Sequence, residues 1–416
     1  MVRMENEKKE FRKGLITGIL GMLALTLVFL AGFFLLTGNN LTKKVQNVAD
    51  EGSSAALITD ETQEKIEGIT ELIEDYCYWD VDESQLVEGM YAGILEGLDD
   101  PYSVYYTKEE YQTILESTRG TYSGIGALLS QKKDTLEVQI VKVFPDSPAE
   151  DAGLQSGDII VSVGDVEAAG MELSTLVTHI KGEEGTSVHL QIKRGESEEP
   201  IEVDLIRRAV ETPSVDYAML EGNIGYIQLM EFTDVTVQQF EDAKDDLIEQ
   251  GMKALIVDLR DNPGGSFPAV CEIVDLILPE GMIVYVEDKN GGRTEKNSDA
   301  QHSVEVPLAV LVNENSASAS EIFAGAIKDH KAGTLIGTKT FGKGIVQSIV
   351  PLDDGSAVKI TTAKYFTPAG IDIHEVGIEP DIELEFEYEE GTAYERMKDN
   401  QILKAIEVLE NNEGVQ

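Results

Sequence analysis

Between positions 223 and 382, short apolar runs alternate with helix-like stretches, and that alternation confines this part of the chain to layered α/β architectures. Ala254-Leu255-Ile256-Val257-Asp258-Leu259 is an almost unbroken apolar run, as a parallel strand buried on both faces requires. Arg260-Asp261-Asn262-Pro263-Gly264-Gly265 follows it, with a helix expected from about Phe267. A second buried strand is expected over 307–313. Asn315-Ser316-Ala317-Ser318-Ala319-Ser320-Glu321-Ile322 follows it, leading into a helix that runs to about His330. Both strands thus end in turns of small residues that open helices. Ligand sites of α/β sheets lie at such carboxyl ends, where helix N-termini leave N–H groups free.

The remaining chain is read more coarsely. At 416 residues, two to four domains are expected. The 22-residue run 15–36 carries no charge, and as a helix it would span about 33 Å, enough for a bilayer core. Arg3, Lys8, Lys9, Arg12 and Lys13 precede it, so the positive-inside rule predicts a cytoplasmic tail over 1–14 and everything after the run outside. No small-x-small cleavage site follows, which favours an uncleaved single-pass anchor in the cell membrane over a signal peptide. A polar tether is expected over 37–60. The three-four spacing of Ile66, Ile69, Leu72 and Ile73, and of Leu86, Met90, Ile94 and Leu95, predicts helix over 62–97. Alternation over 381–390 predicts a half-solvated strand, and 391–413 a terminal helix. With 33 basic and 77 acidic residues the net charge is −44, which excludes a nucleic-acid partner for want of a positive field. Two cysteines, Cys77 and Cys271, are too few for a disulfide scaffold and read as core thiols.

Ser318 and Glu321 stand in the S-x-x-E spacing of a capping box, so Ser318 can simply cap a helix. The same position also exposes a hydroxyl at a turn, beside the free N–H of Ala319, which can donate to an oxyanion. A serine nucleophile needs a base. His330 shares the helix but lies about 18 Å along it, out of reach, and the other histidines have no motif around them. Lys343 is the alternative, in Thr340-Phe341-Gly342-Lys343-Gly344-Ile345-Val346-Gln347. To act near neutral pH its pKa must fall by about 3, on the order of 4 kcal/mol, which burial among apolar neighbours can supply. Gln347 can orient the amine through its carbonyl oxygen. The bland reading is a solvated lysine in a glycine-rich turn. Residues 337–343 also fit G-x-x-x-x-G-K, but Gly344 stands where a phosphate-binding loop needs Ser or Thr. Ser130-Gln131-Lys132-Lys133 matches S-x-x-K on a polar hairpin with nothing to bury its lysine.

Over 119–208, Tyr122-Ser123-Gly124-Ile125-Gly126-Ala127, Ser147-Pro148-Ala149, Ala152-Gly153-Leu154, Gly157-Asp158-Ile159-Ile160 and Val163-Gly164 occur in an order that resembles a PDZ domain. Gly124, Ile125 and Gly126 would present successive N–H groups to a peptide carboxylate, with an edge strand over 125–130 and a helix over 173–181 flanking the groove.

Together with Asp258-Leu259-Arg260-Asp261-Asn262-Pro263-Gly264-Gly265, Ser316 to Glu321 and Phe341 to Gln347, the chain resembles the carboxyl-terminal processing peptidases, family S41, over about 61–380. The resemblance implies Ser318 as nucleophile, Lys343 as general base and Gln347 as its support. It places the oxyanion hole at Ala319 and at Gly264 or Gly265. It further implies an α/β ClpP/crotonase-like protease core over 209–388 with the PDZ domain inserted, and a helical dimerisation segment over 61–118. A C-terminal helical segment over 389–416 and one N-terminal transmembrane helix complete the expected architecture. The expected activity is serine endopeptidase cleavage near C-terminal tails, gated by the PDZ domain in a homodimer, with neither metal nor cofactor needed.

Overall fold

The computed structural model describes residues 57–412 apart from 196, 198, 300, 302, 303, 305 and 388–393. The chain divides into two units after Ser84. In the first, α1 (Asp60–Tyr76) starts at Thr59, whose hydroxyl accepts from the Thr62 N–H at 3.1 Å. None of its residues is buried. The single helical stretch expected over 62–97 is broken: α2 (Glu83–Glu96) is a separate helix. Asp82 starts it anew, its carboxylate accepting from the N–H (2.9 Å) and hydroxyl (2.6 Å) of Ser84.

The second unit continues with β1 (Val104–Tyr106), α3 (Lys108–Arg119) and β2 (Thr121–Gly124). A six-stranded antiparallel domain follows, made of β3 (Ala127–Gln131), β4 (Val138–Val143), α4 (Pro148–Asp151), β5 (Ile159–Val163), β6 (Val166–Glu167), α5 (Leu173–Ile180), β7 (Ser187–Lys193) and β8 (Ile201–Ile206). Its strand order is β3-β4-β5-β7-β8, with β6 on β5, around a core that includes Val138, Ile140, Leu176, Leu190 and Ile192. The exit strand β9 (Arg208–Glu211) pairs with β2, Thr121 opposite Glu211 and Gly124 opposite Arg208. Chain entry and exit therefore share one ribbon, the connection an inserted domain requires.

The rest is β10 (Val215–Leu220), β11 (Ile224–Leu229), α6 (Thr236–Glu249), β12 (Ala254–Asp258), α7 (Phe267–Asp275), β13 (Gly281–Asp288), β14 (Arg293–Ser298), β15 (Leu308–Val312), α8 (Ala319–His330), β16 (Thr334–Gly337), β17 (Ile345–Pro351), β18 (Ala357–Phe366), β19 (Ile382–Glu383) and α9 (Asn400–Asn412). The main sheet runs β10-β11-β12-β15-β16-β19, parallel except for the β10–β11 pair. Every residue of β12 and β15 is buried, as their apolar runs demand. Leu255, Val257, Val310 and Val312 join a cluster with Phe240, Val270 and Phe323 of α6–α8. The alternate residues Ala254, Ile256, Ala309 and Leu311 meet Ile402, Ala405 and Leu409 of α9. A second, antiparallel sheet runs β1-β18-β13-β14, with β17 on β18.

Some expectations are corrected. Among the described residues of 381–390 only β19 forms a ladder, and positions 388–390 lie outside the described residues. The terminal helix begins at Asn400 instead of 391, after a single 3-10 turn. Both cysteines are free, but only Cys271 is buried, which pushes its thiol up to about 12. The single-pass membrane placement is also overturned: among the described residues no helix is long and apolar enough to cross a membrane. The tail over 1–14, the run 15–36 that suggested the anchor and most of the tether over 37–60 lie outside the described residues.

One ion cluster ties the end of β12 to the start of α9. Arg260 binds Asp258 (Nη2–Oδ2 2.5 Å), Asp399 (2.8 Å) and Gln401 (2.8 Å), and the Tyr226 hydroxyl donates to Asp258 at 2.7 Å. Both carboxylates are buried. Arg260→Met should lower the unfolding free energy by about 3–5 kcal/mol, because it strands those charges. Urea denaturation followed by circular dichroism measures the loss.

Candidate active site

Ser318 is held where β15 hands over to α8, with φ +55° and ψ −112°. A non-glycine residue at positive φ costs on the order of 1–3 kcal/mol, and such strain persists only where neighbours enforce it. The enforcing contacts are all to its main chain. Its N–H donates to Glu321 Oε2 at 2.9 Å, and its carbonyl accepts from the Glu321 and Ile322 N–H groups and from the Tyr365 hydroxyl at 2.9 Å. Ser318 and Glu321 close a capping box, the Glu321 N–H facing the Ser318 side chain and carbonyl while the Glu321 carboxylate accepts the Ser318 N–H; a hydroxyl that accepts there keeps its own proton to give. The neighbouring serines are spent on main chain: Ser316 Oγ donates to the Leu259 carbonyl (2.7 Å) and Ser320 Oγ to the Asn262 carbonyl (2.9 Å).

Those two bonds lock the serine segment to the glycine turn after β12. Asn262, buried, completes the lock: its amide donates to the Leu229 carbonyl and its Oδ1 accepts the Gly264 N–H, both at 2.9 Å. A Cβ on Gly264 would lie 2.8 Å from Ser318 Cβ and 2.9 Å from the Ala319 nitrogen, so only glycine lets these segments touch. At Gly265 a Cβ would strike the Phe232 carbonyl at 2.0 Å. The flanking Ala317 and Ala319 are buried. They permit this close packing and do not leave an open rim.

Lys343 arrives from the loop between β16 and β17. The buried Glu321 carboxylate reaches across to it, Oε1 accepting from Thr340 Oγ1 and the Gly342 N–H (2.7 Å each) and Oε2 from the Lys343 N–H at 2.8 Å. Oε2 thus bridges the Ser318 and Lys343 nitrogens. The Tyr365 hydroxyl bridges the carbonyls of the same two residues. Burial raises the Glu321 pKa, against the pull of its four donors. Lys343 is half-buried, and burial first, then Lys359, hold its pKa below the ordinary lysine value, with Asp100 and Glu321 opposing. Its Nζ lies 4.6 Å from the centre of the Tyr102 ring. Among the described residues no hydrogen bond joins it to the Ser318 hydroxyl or to Gln347, whose amide instead reaches Thr361 Oγ1 at 3.4 Å.

In the inserted domain, β3 pairs only with β4 among the described residues, and the N–H of Leu173, the first residue of α5, donates to Gln131 Oε1 of β3 at 3.2 Å. Ile125 is buried and its carbonyl accepts from the Ala149 N–H at 2.7 Å, while that of Gly126 accepts from Phe144 at 2.9 Å. The Tyr122 ring packs against Gly124, and the N–H groups of Ala127 and Gly126 face its hydroxyl. Tyr102 and Tyr365 have no motif that marks them in the sequence, Asn262 stands in the glycine-turn motif without a role assigned to it there, and Glu321 reads only as a cap.

Three family models match the chain: Peptidase family S41 over residues 223–384, a PDZ domain over 139–194, and the activating protease CtpB N-terminal domain over 15–110. The chain is 36% identical over 335 residues to the carboxy-terminal processing protease CtpA of Bacillus subtilis, covering 80% of this chain and 71% of that one. It is 37% identical over 292 residues to the carboxyl-terminal-processing protease of Synechocystis sp., covering 69% and 68%. In fold it is similar to a putative S41 protease from Bacteroides fragilis, with a TM-score of 0.50 at 18% identity over 81% and 93% of the two chains.

Glu321→Gln leaves one end of the side chain unable to accept the N–H groups that face it. A loss of about 2–4 kcal/mol in unfolding free energy is expected, read from guanidinium denaturation.

Proposed function

We propose, for a chain that belongs to peptidase family S41 and is a serine-type, PDZ-containing carboxyl-terminal processing peptidase, that Ser318 and Lys343 form its nucleophile–base dyad. The observation that carries this reading is the double bridge: Glu321 Oε2 and the Tyr365 hydroxyl each bind the main chain of both residues. Both bridges hold the two segments in register through main-chain groups, so neither needs the Ser318 hydroxyl proton or the Lys343 amine.

Neutral Lys343 takes the Ser318 proton as Oγ bonds to the peptide carbonyl carbon. The new ammonium then gives a proton to the departing amine as the C–N bond breaks. Water, deprotonated by the lysine, releases the acyl group and restores the serine. The oxyanion sits on the N–H groups of Ala319, the first residue of α8, and of Gly265. Gly265 is preferred because the Gly264 N–H is taken by Asn262 Oδ1, whereas no hydrogen bond among the described residues uses that of Gly265. Gly264 contributes closeness. Gln347 swings from Thr361 to orient the amine.

Within this reading residues 209–388 form a ClpP/crotonase-like core. The inserted domain, 119–208, receives substrate tails on the β3 edge and at the amides of Gly124, Ile125 and Gly126, and gates the core. A homodimer forms through the segment 61–118 and the C-terminal segment that carries α9. Its support is that neither α1 nor α2 buries a residue, with Ile69 and Leu72 on one and Met90 and Ile94 on the other exposed.

Ser318→Ala and Lys343→Ala should each reduce cleavage of an unfolded protein below about 1% of wild type with the circular dichroism spectrum intact; higher residual turnover in either sinks the dyad. Since the base form is the deprotonated one and the lysine pKa is lowered, kcat/KM should climb with pH between about 6 and 9. A flat profile over that span excludes a lysine base.

A further inference from the structure

Among the described residues the Lys343 Nζ makes no hydrogen bond and no salt bridge. Its Nζ rests 4.6 Å from the centroid of Tyr102, a residue far away in sequence. The segment that carries Tyr102 is fastened to the second sheet. Asp100 Oδ2 accepts the Ser103 hydroxyl at 2.6 Å and Asp100 Oδ1 the Tyr102 N–H at 3.0 Å, so the turn is rigid. Ser103 Oγ accepts the Thr361 N–H at 3.1 Å, and β1, just beyond, pairs with β18. Thr361 is also where the Gln347 amide is held. The ring and the glutamine are thus positioned through one residue of β18. Lys359, the lysine that repels Lys343, is itself held over a ring of the same segment, Tyr106, at 5.4 Å.

We propose that the Tyr102 ring is the resting berth of the protonated Lys343 side chain, and that it thereby sets the pH above which the serine–lysine pair is competent. A ring face attracts an ammonium and is indifferent to a neutral amine. The berth therefore sorts the lysine by protonation: charged, it stays on the ring; neutral, it is released to reach the Ser318 hydroxyl. The groups around it fall on both sides of that balance. Burial and Lys359 on β18 favour the neutral form, while Asp100 on the turn and Glu321 on α8 favour the charged one. His374, whose main chain meets Gly344, acts on Asp100 and not directly on the lysine. Tyr102 makes the ring a positioning residue, acting through Lys343. The inference rests on Lys343 being the base.

The test is the rate at which a fluorophosphonate labels Ser318 in the full chain, followed from about pH 5 to pH 10, since that rate depends on the base and not on peptide binding. Tyr102→Leu keeps an apolar wall but removes the π face. Its acidic limb should move down by roughly half to one pH unit, giving about 3–10-fold faster labelling below the limb at an unchanged plateau. Tyr102→Phe should retain the wild-type limb. Tyr102→Trp, a stronger ring, should move it upward, which keeps the question open to decision where leucine fails to fold. A limb that stays put in the leucine and tryptophan variants overturns the berth, as does a phenylalanine variant that behaves like leucine. Lys343→Met separates the two ideas: labelling with the wild-type rate and limb means that the lysine is not the base, and the berth falls with that reading. Abolished labelling in Lys343→Met with an unmoved limb in Tyr102→Leu sinks the berth alone.

Discussion

One buried carboxylate organises the candidate site. Glu321 lies in the first turn of α8 with no solvent contact, and burial alone would drive its proton back on. It is compensated by hydrogen bonds from the N–H groups of Ser318, Gly342 and Lys343 and the hydroxyl of Thr340. The helix N-terminus adds a favourable field for the negative charge. Because every donor comes from the serine turn or the lysine loop, satisfying the charge and joining the two segments are one act. Removing the charge would release both.

The scaffold works at a larger scale by the same rule of compulsory satisfaction. Strands β12 and β15 are neighbours in a parallel sheet, so their carboxyl ends present two turns side by side. Turns at that edge carry main-chain groups that the sheet no longer pairs. Ser316 and Ser320 take up two of them by bonding one turn to the other, and the Asn262 side chain takes up the Gly264 N–H within its own turn. Glycine at 264 then allows the backbones to meet without a Cβ between them. Tyr365 of β18 closes the assembly from the second sheet, its hydroxyl on the Ser318 and Lys343 carbonyls.

Parts of this were legible in the sequence because they are local. The apolar runs at β12 and β15, the glycine turn, the helix starting near Phe267 and the one starting after Ser318 all follow from patterns a few residues long. The family resemblance added which serine and which lysine to watch, something periodicity does not distinguish. Short-range pattern also misled. The apolar spacing over 62–97 ignored the cap at Asp82, and of the alternation over 381–390 only Ile382 and Glu383 find ladder partners among the described residues. Glu321 read as a helix cap because its spacing to Ser318 is visible, whereas its bonds to residues 340–343 are not.

The sequence by itself determined the strand and helix order, the backbone freedom at the tight turns and the chemistry available in each loop, since these depend on neighbours within a turn or two. Only the tertiary structure decided that the Ser318 and Lys343 main chains share two bridging groups, that the Gly264 N–H is occupied, and that the lysine ammonium faces Tyr102. The bridges and the ring contact join segments that are adjacent only once the two sheets are formed, while the Gly264 bond is local and fixed by the turn that the fold imposes; their strength comes from burial, a property that a linear chain does not possess.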